Sequence, residues 1–196
     1  MEGTNYAAME MSWKATMSAV DTTPGSLHTE RLVLRPTRYS DAGRAFDIQS
    51  DWEVTRMLRT TSFPPSRQQM IRWFADHPRH WRTGEAYRFA VELEGRMIGM
   101  AYLDAIAERE ANLGYWLDRA HWRQGYAFEA ARALIHFAFN DAHLLRLRAG
   151  HAYDNPASGR VLAKLGFKPH DIVRRVSQSR CEAIMQHRYV LEANAG

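Results

Sequence analysis

The chain has 196 residues, 45% hydrophobic and 24% charged, a balance that supports a packed core, argues against disorder over most of the length, and suits one domain rather than two. A single cysteine, Cys181, excludes an intrachain disulfide, and no uncharged apolar run approaches the roughly 20 residues that span a bilayer. The formal charge of +4 and pI near 9.4 leave two readings, an anionic partner such as nucleic acid or a phosphate-rich cofactor, or simply a mildly basic surface.

In chain order, residues 1–27 read as an extension. Tyr6, Met9, Trp13, Met17 and Val20 recur at helical spacing before Thr23, Pro24 and Gly25 break the pattern. A short docking helix there would make a homodimer contact or cover the substrate site; the plain alternative is a loosely packed tail. Glu2 and Glu10, with neither a basic start nor an apolar run, argue against a secretory signal, and a cytoplasmic protein is expected.

From Glu30 the alternation of Leu32 and Leu34 with charged neighbours predicts a first strand ending at Pro36. Two helical segments follow, one after Ser40 and Asp41 through Ile48, the other after Pro64, Pro65 and Ser66 through Phe74. Tyr87 to Leu93, a turn at Glu94 and Gly95, and Met97 to Leu103 read as a hairpin, with a third strand from Ala111 to Leu117. Beyond Gly125, Ala127, Ala131, Leu134, Ile135 and Ala138 form one face of an amphipathic helix. A strand from Leu144 to Tyr153, a helix from about Pro156 to Leu165 and two strands around Val173 and Ile184 to Leu191 complete the pattern.

The chemistry concentrates where the strand ending at Leu117 runs through Trp122, Arg123 and Gln124 into a helix opening with Gly125, Tyr126 and Ala127. Free backbone N–H groups at that helix start, beside two small residues, suit a pyrophosphate. A helix terminus contributes only about 0.3–1 kcal/mol per favourable charge, so several N–H groups and Arg123 must act together. Taken alone, the turn is equally a tight strand-to-helix connection. A second segment changes the balance: Asn155, Pro156, Ala157 and Ser158 start a helix that Lys164, Leu165, Gly166 and Phe167 end.

Together with Thr29 to Pro36 and with Gly114, Tyr115, Trp116, Glu129 and Ala130, these residues resemble the GNAT acetyltransferases, in the branch that includes the ribosomal-protein N-terminal acetyltransferases. The resemblance covers about residues 28–192. It implies an α/β (α+β) fold with a central splayed mixed sheet of about seven strands flanked by about four helices, and acetyl-CoA as cosubstrate. It further implies that Tyr115, Trp116 and Leu117 offer backbone groups to pantetheine, that Trp122, Arg123, Gln124, Gly125, Tyr126 and Ala127 wrap the pyrophosphate, and that Asn155 and Ser158 lie near the thioester. Arg160 and Lys164 are weaker candidates for cofactor phosphates. The tyrosine that many relatives use as the acid falls at Leu162, which has no proton to give.

The resemblance also implies that the Ser158 hydroxyl, at the start of its helix, lies beside the thioester, which makes it the first candidate to serve the departing sulfur; Glu110, then Glu108 and His151, are the candidates for the base. Roughly 10–15% of an α-amine but only about 0.04% of a lysine is neutral at pH 7, so an α-amine needs less help. The implied acceptor is a peptide N-terminus, with a small-molecule amine as the alternative. Trp52, Phe63, Trp73 and Trp81, interspersed with arginines, fall where relatives build the acceptor wall, although packing explains them as well. His77 and His80 lack a third ligand, so no metal is expected. Twenty-three arginines against three lysines raise an RNA-binding alternative, but they are scattered and no nucleic-acid motif is visible. A CoA-binding fold without catalysis is the third reading.

Overall fold

A computed structural model describes residues 25–193, and the expected docking helix of the extension lies outside them. The chain enters the sheet at Leu27, one residue inside the expected boundary. Strand β1 (Leu27–His28) and β2 (Val33–Pro36) lead to helices α1 (Asp41–Gln49), α2 (Trp52–Thr55) and α3 (Arg67–Thr83). Strands β3 (Tyr87–Leu93), β4 (Arg96–Ala107) and β5 (Glu110–Leu117) form a meander, followed by α4 (Tyr126–Asn140), β6 (Arg146–Ala152), α5 (Pro156–Lys164) and the hairpin β7 (Lys168–Ser177) and β8 (Glu182–Glu192). The strands lie in one sheet, in the order β1-β2-β3-β4-β5-β6-β8-β7. Only β5 and β6 are parallel.

Eight strands and five helices thus stand where about seven and four were expected. The additions are β1, two residues paired with β2, and α2, a single turn held by the Asp51 carboxylate accepting from the Glu53 N–H at 2.8 Å. Both are too short to give a periodic sequence signal.

Strand alternation sends successive side chains to opposite faces. Leu34, Phe89, Val91, Leu103, Leu113 and Leu147 bury one face under α4 and α5. Ala90, Met100 and Trp116 turn to the other face, against α1, α2 and α3, with Phe74 fully buried. The sheet is a partition with a separate core on each side. Anything passing between those sides must go through the sheet itself.

Candidate active site

That passage lies between β5 and β6. They pair only at Glu110–Arg146, Ala111–Leu147 and Asn112–Arg148. Beyond this point β5 stays with β4 as far as Leu117, and β6 stays with β8 as far as Ala152, so the sheet is whole on either side and forked in the middle. Gly99 lets β5 lie close against β4. A Cβ there would lie 2.8 Å from Leu117 Cα, and closer still to the Trp116 carbonyl, so only glycine admits the approach of β5. The fork opens into a cavity of about 1440 Å³.

On the α4 side, the turn before the helix reaches that cavity. Arg123 and Gly125 both have positive φ, 61° and 85°, and the first bond of the helix is Glu129 N–H to Gly125 O at 3.1 Å. The preceding first-turn N–H groups thus lack intrahelical acceptors. Arg123, Gly125, Tyr126 and Ala127 line the cavity, whereas Gln124 does not. Gln124 turns back to donate to Ala120 O at 3.1 Å, and its carbonyl accepts from Arg31 Nη1 at 3.1 Å. The Trp122 indole also has a structural post, since its Nε1–H donates to Leu117 O at 2.9 Å. That bond occupies one of the backbone groups expected to meet pantetheine.

Sequence reasoning missed what fixes this turn. Glu129, nearly buried, accepts from the Thr29 hydroxyl at 2.6 Å, from the Arg31 amide at 2.8 Å and from Arg31 Nε at 2.8 Å. Arg31 also stacks over the Tyr126 ring, 4.4 Å from its centroid. Burial acts to raise the Glu129 pKa, but these donors outweigh it and hold the carboxyl below its ordinary value. The two sequence segments carrying the resemblance, one around Thr29 and one around Glu129, are thereby joined.

Across the fork, the Asn155 side chain caps α5 by accepting from the Ser158 N–H at 3.2 Å. The Ser158 Oγ lies 2.9 Å from the Tyr115 hydroxyl, so a β5 side chain reaches the first turn of α5. Burial pushes the Tyr115 phenol up to about 12, with the Ser158 bond acting the other way. Tyr115, Asn155 and Ser158 are brought together; Leu162 is 1% exposed in the core.

Glu110 is not brought to this place. It stands at the closed end of the fork, 2.7 Å from Arg146 and ion-paired with Arg148, outside the cavity lining. Glu108 is exposed in the β4–β5 turn. His151 does line the cavity, but its Nδ1 bonds Ala152 O at 2.8 Å and its Nε2 faces the Tyr189 hydroxyl at 3.3 Å. Burial lowers its pKa.

On the opposite face, Tyr102 and Asp104 project from β4 into the cavity, level with Gly114 and Asn112 of β5. A side chain at Gly114 would come within 2.6 Å of the Tyr102 oxygen, so that glycine makes room for the ring. Asp104 lies 2.7 Å from Arg88 Nη2, yet burial dominates and its carboxyl is raised. The predicted strand ended at Leu103, which hid this pair. Of the expected aromatic wall only Trp73 lines the cavity; Trp81 packs on Tyr87 and Phe89, and Trp52 on Phe63. His77 is buried with its Nδ1 2.7 Å from the Thr37 hydroxyl, and burial takes it down to about 3. His80 Nδ1 sits 2.8 Å from Arg88.

The family described as Acetyltransferase (GNAT) domain matches residues 31–168. The uncharacterized N-acetyltransferase YoaA of Bacillus subtilis is 34% identical, over 76% of this chain and 86% of its own length. The [ribosomal protein uS5]-alanine N-acetyltransferase of Escherichia coli is 27% identical, over 72% of this chain and 77% of its own. In fold, Mycobacterium smegmatis RimJ in complex with CoA-disulfide superposes with a TM-score of 0.79 at 20% identity, covering 87% of this chain and 88% of that one. A forked mixed sheet, a glycine-opened helix start facing the fork and the match over most of the sequence agree, and the chain belongs to the GNAT acetyltransferase family.

Proposed function

We propose that residues 28–192 transfer acetyl from acetyl-CoA to the α-amine of a peptide or protein N-terminus, by direct attack. The observation that carries this reading is the fork between β5 and β6. It lets a thioester enter from the side of α4 and α5 and meet an amine on the side of Tyr102 and Asp104. The pyrophosphate sits on the first-turn amides of α4 with Arg123 beside it, and pantetheine follows the unpaired edge of β5 near Tyr115 and Trp116.

The neutral amine attacks the thioester carbon, the oxyanion forms, and the C–S bond breaks. Ser158 serves the departing sulfur as a hydrogen-bond donor. Full proton delivery is uphill, because a phenol at about 12 stands behind the serine and an ordinary thiol lies near ~8.5, a gap of about 5 kcal/mol. With Tyr115 donating to Ser158 Oγ, the serine hydrogen is left to point at sulfur. Asp104 takes the proton released by the amine, directly or through water; its raised pKa makes it a better acceptor than an ordinary surface carboxylate. Asn155 acts through the cap that sets the first turn of α5.

The deciding experiment measures CoA release with N-terminal peptides, polyamines, aminoglycosides and amino acids, using the native chain and Asp104→Asn. Peptides are expected to be acetylated at the α-amine, and the variant to lose roughly 10²-fold in kcat with its acid limb altered. Turnover of small amines alone would sink the peptide assignment, and an unchanged pH profile would remove Asp104 from the mechanism.

A further inference from the structure

The charge on the cavity wall is one-sided. Asp104 is its single carboxylate, whereas arginine and lysine recur around it. Arg123, Arg160 and Lys164 stand on the side of α4 and α5, where cofactor phosphates account for them. Five more, Arg56, Arg59, Arg148, Arg175 and Arg188, belong to the acceptor half, where the reaction as proposed supplies no phosphate.

Three of these five are neutralised by carboxylates outside the lining. Arg56 lies 3.2 Å from Asp154 and 3.5 Å from Glu53, Arg148 pairs with Glu110, and Arg188 Nε donates to Asp171 at 2.6 Å. Asp104 is itself occupied by Arg88. Among the described residues, Arg59 and Arg175 have no carboxylate within ion-pair distance, the nearest influence being that of Arg175 on Asp171, whose pKa it helps to lower, so two guanidinium groups without a direct carboxylate partner face the acceptor half.

Their placement is built. Arg59 follows α2 in a segment sewn to the β7–β8 turn: Gln178 N–H donates to Arg59 O at 2.8 Å, the Ser179 hydroxyl to Leu58 O at 3.0 Å, and Arg180 Nε to Arg56 O at 2.7 Å. Arg180 in turn grips Asp154 through both nitrogens, at 2.9 and 3.0 Å. Arg175 sits on β7 opposite Ile184, just before that turn. The two cations therefore flank one rigid seam on the wall across from the thioester. The Arg59 charge also reaches the half-buried Tyr102 phenol on the cavity floor.

An acceptor that carries several ammonium groups meets like charge here, while one bearing carboxylates near its amine meets guanidinium forks that bind carboxylates bidentately. The same positive field favours the neutral form of an approaching amine, which is the reactive one. We propose that the acceptor is an acidic peptide, an α-amine followed within its first few residues by Asp or Glu side chains, and that Arg59 and Arg175 select it. The proposal rests on the peptide α-amine reading given above and narrows it.

The test uses the full chain and acetyl-CoA with peptides sharing one N-terminal residue and differing at the third to fifth positions: Glu, the neutral Gln, or Lys. Expected is a kcat/KM order of Glu over Gln over Lys spanning about tenfold or more, carried mainly in KM and compressed by added salt. Arg59→Glu and Arg175→Glu should flatten or invert the order, with Arg59→Gln and Arg175→Gln intermediate, while acetyl-CoA affinity by calorimetry stays the same. Equal turnover of the Glu and Lys peptides, or an order untouched in all four variants, overturns the charge selection and leaves the peptide reading standing. If no peptide is acetylated while a small amine is, the peptide reading fails and this inference with it.

Discussion

A hydroxyl pair and a carboxylate frame the chemistry at the level of single residues. Ser158 and Tyr115 are 2.9 Å apart although they lie 43 positions apart in the chain. If the serine stabilises a departing thiolate, its loss removes a hydrogen bond to a charged group, worth about 1.5–3 kcal/mol, or about 10- to 150-fold in kcat. Ser158→Ala is expected to show that loss with acetyl-CoA affinity nearly constant, and Tyr115→Phe a smaller loss in the same parameter. Single-turnover kinetics with a fixed acceptor checks both; if the two variants match the parent, neither hydroxyl serves the sulfur. Asn155, Ser158 and Tyr115 were all legible as a motif, but the motif showed Tyr115 only as backbone. The side-chain bond across the fork needs the register of β5, which no local spacing contains. Leu103 hides Asp104 in the same way, since the apolar alternation stops there while the strand continues through an irregular register to Ala107.

Among the elements, the opening turn of α4 depends on a partner almost a hundred residues earlier. Glu129 on the helix gathers the Thr29 hydroxyl, the Arg31 amide and the Arg31 guanidinium, so the approach to β2 clamps the helix start that faces the cavity. The sequence offered both ends of this clamp as parts of one resemblance. Their contact was invisible because it joins residues brought together only when α4 packs on the sheet. Because the folded Glu129 carboxyl lies below its ordinary value, its stabilisation is complete above that value and disappears as pH falls through the folded one. Glu129→Gln is expected to cost about 1–2 kcal/mol near neutral pH, a few degrees in Tm, and to flatten the stability loss on acidification. It should also weaken acetyl-CoA binding measured by calorimetry if, as proposed, the amides it orients receive the diphosphate. Equal acid-unfolding curves for parent and variant would remove the clamp from the account. By contrast, the need for glycine at Gly99 shows only in the close contact of β4 with β5, and nothing in the isolated run Met97 to Leu103 marks it as special.

For the molecule as a whole, a sheet with a separate core on each face gives each half of the reaction its own wall. The α4 and α5 wall bears Arg123, Arg160 and Lys164, and the opposite wall is made of α2, α3 and the β7–β8 hairpin. Among the described residues no helix is long and apolar enough to cross a membrane. The individual elements were readable from alternation and helix periodicity, and their arrangement as a splayed mixed sheet from the family resemblance. What escaped was the balance of charge between the walls, because scattered arginines acquire meaning only when some find carboxylates and others do not.

The short parallel ladder at Glu110 to Asn112 has a thermodynamic corollary. Past it, two lengths of peptide edge part in the heart of the protein, and among the described residues no strand pairs with either across the gap, a situation folded chains ordinarily reserve for their periphery. If pantetheine lodges there as proposed, its two amides would act as a surrogate strand and the loaded protein should melt as one tighter unit: at a hundred times Kd, CoA should add about 2.7 kcal/mol. Scanning calorimetry checks this, and a melting curve indifferent to CoA would mean the gap is not where the cofactor lodges.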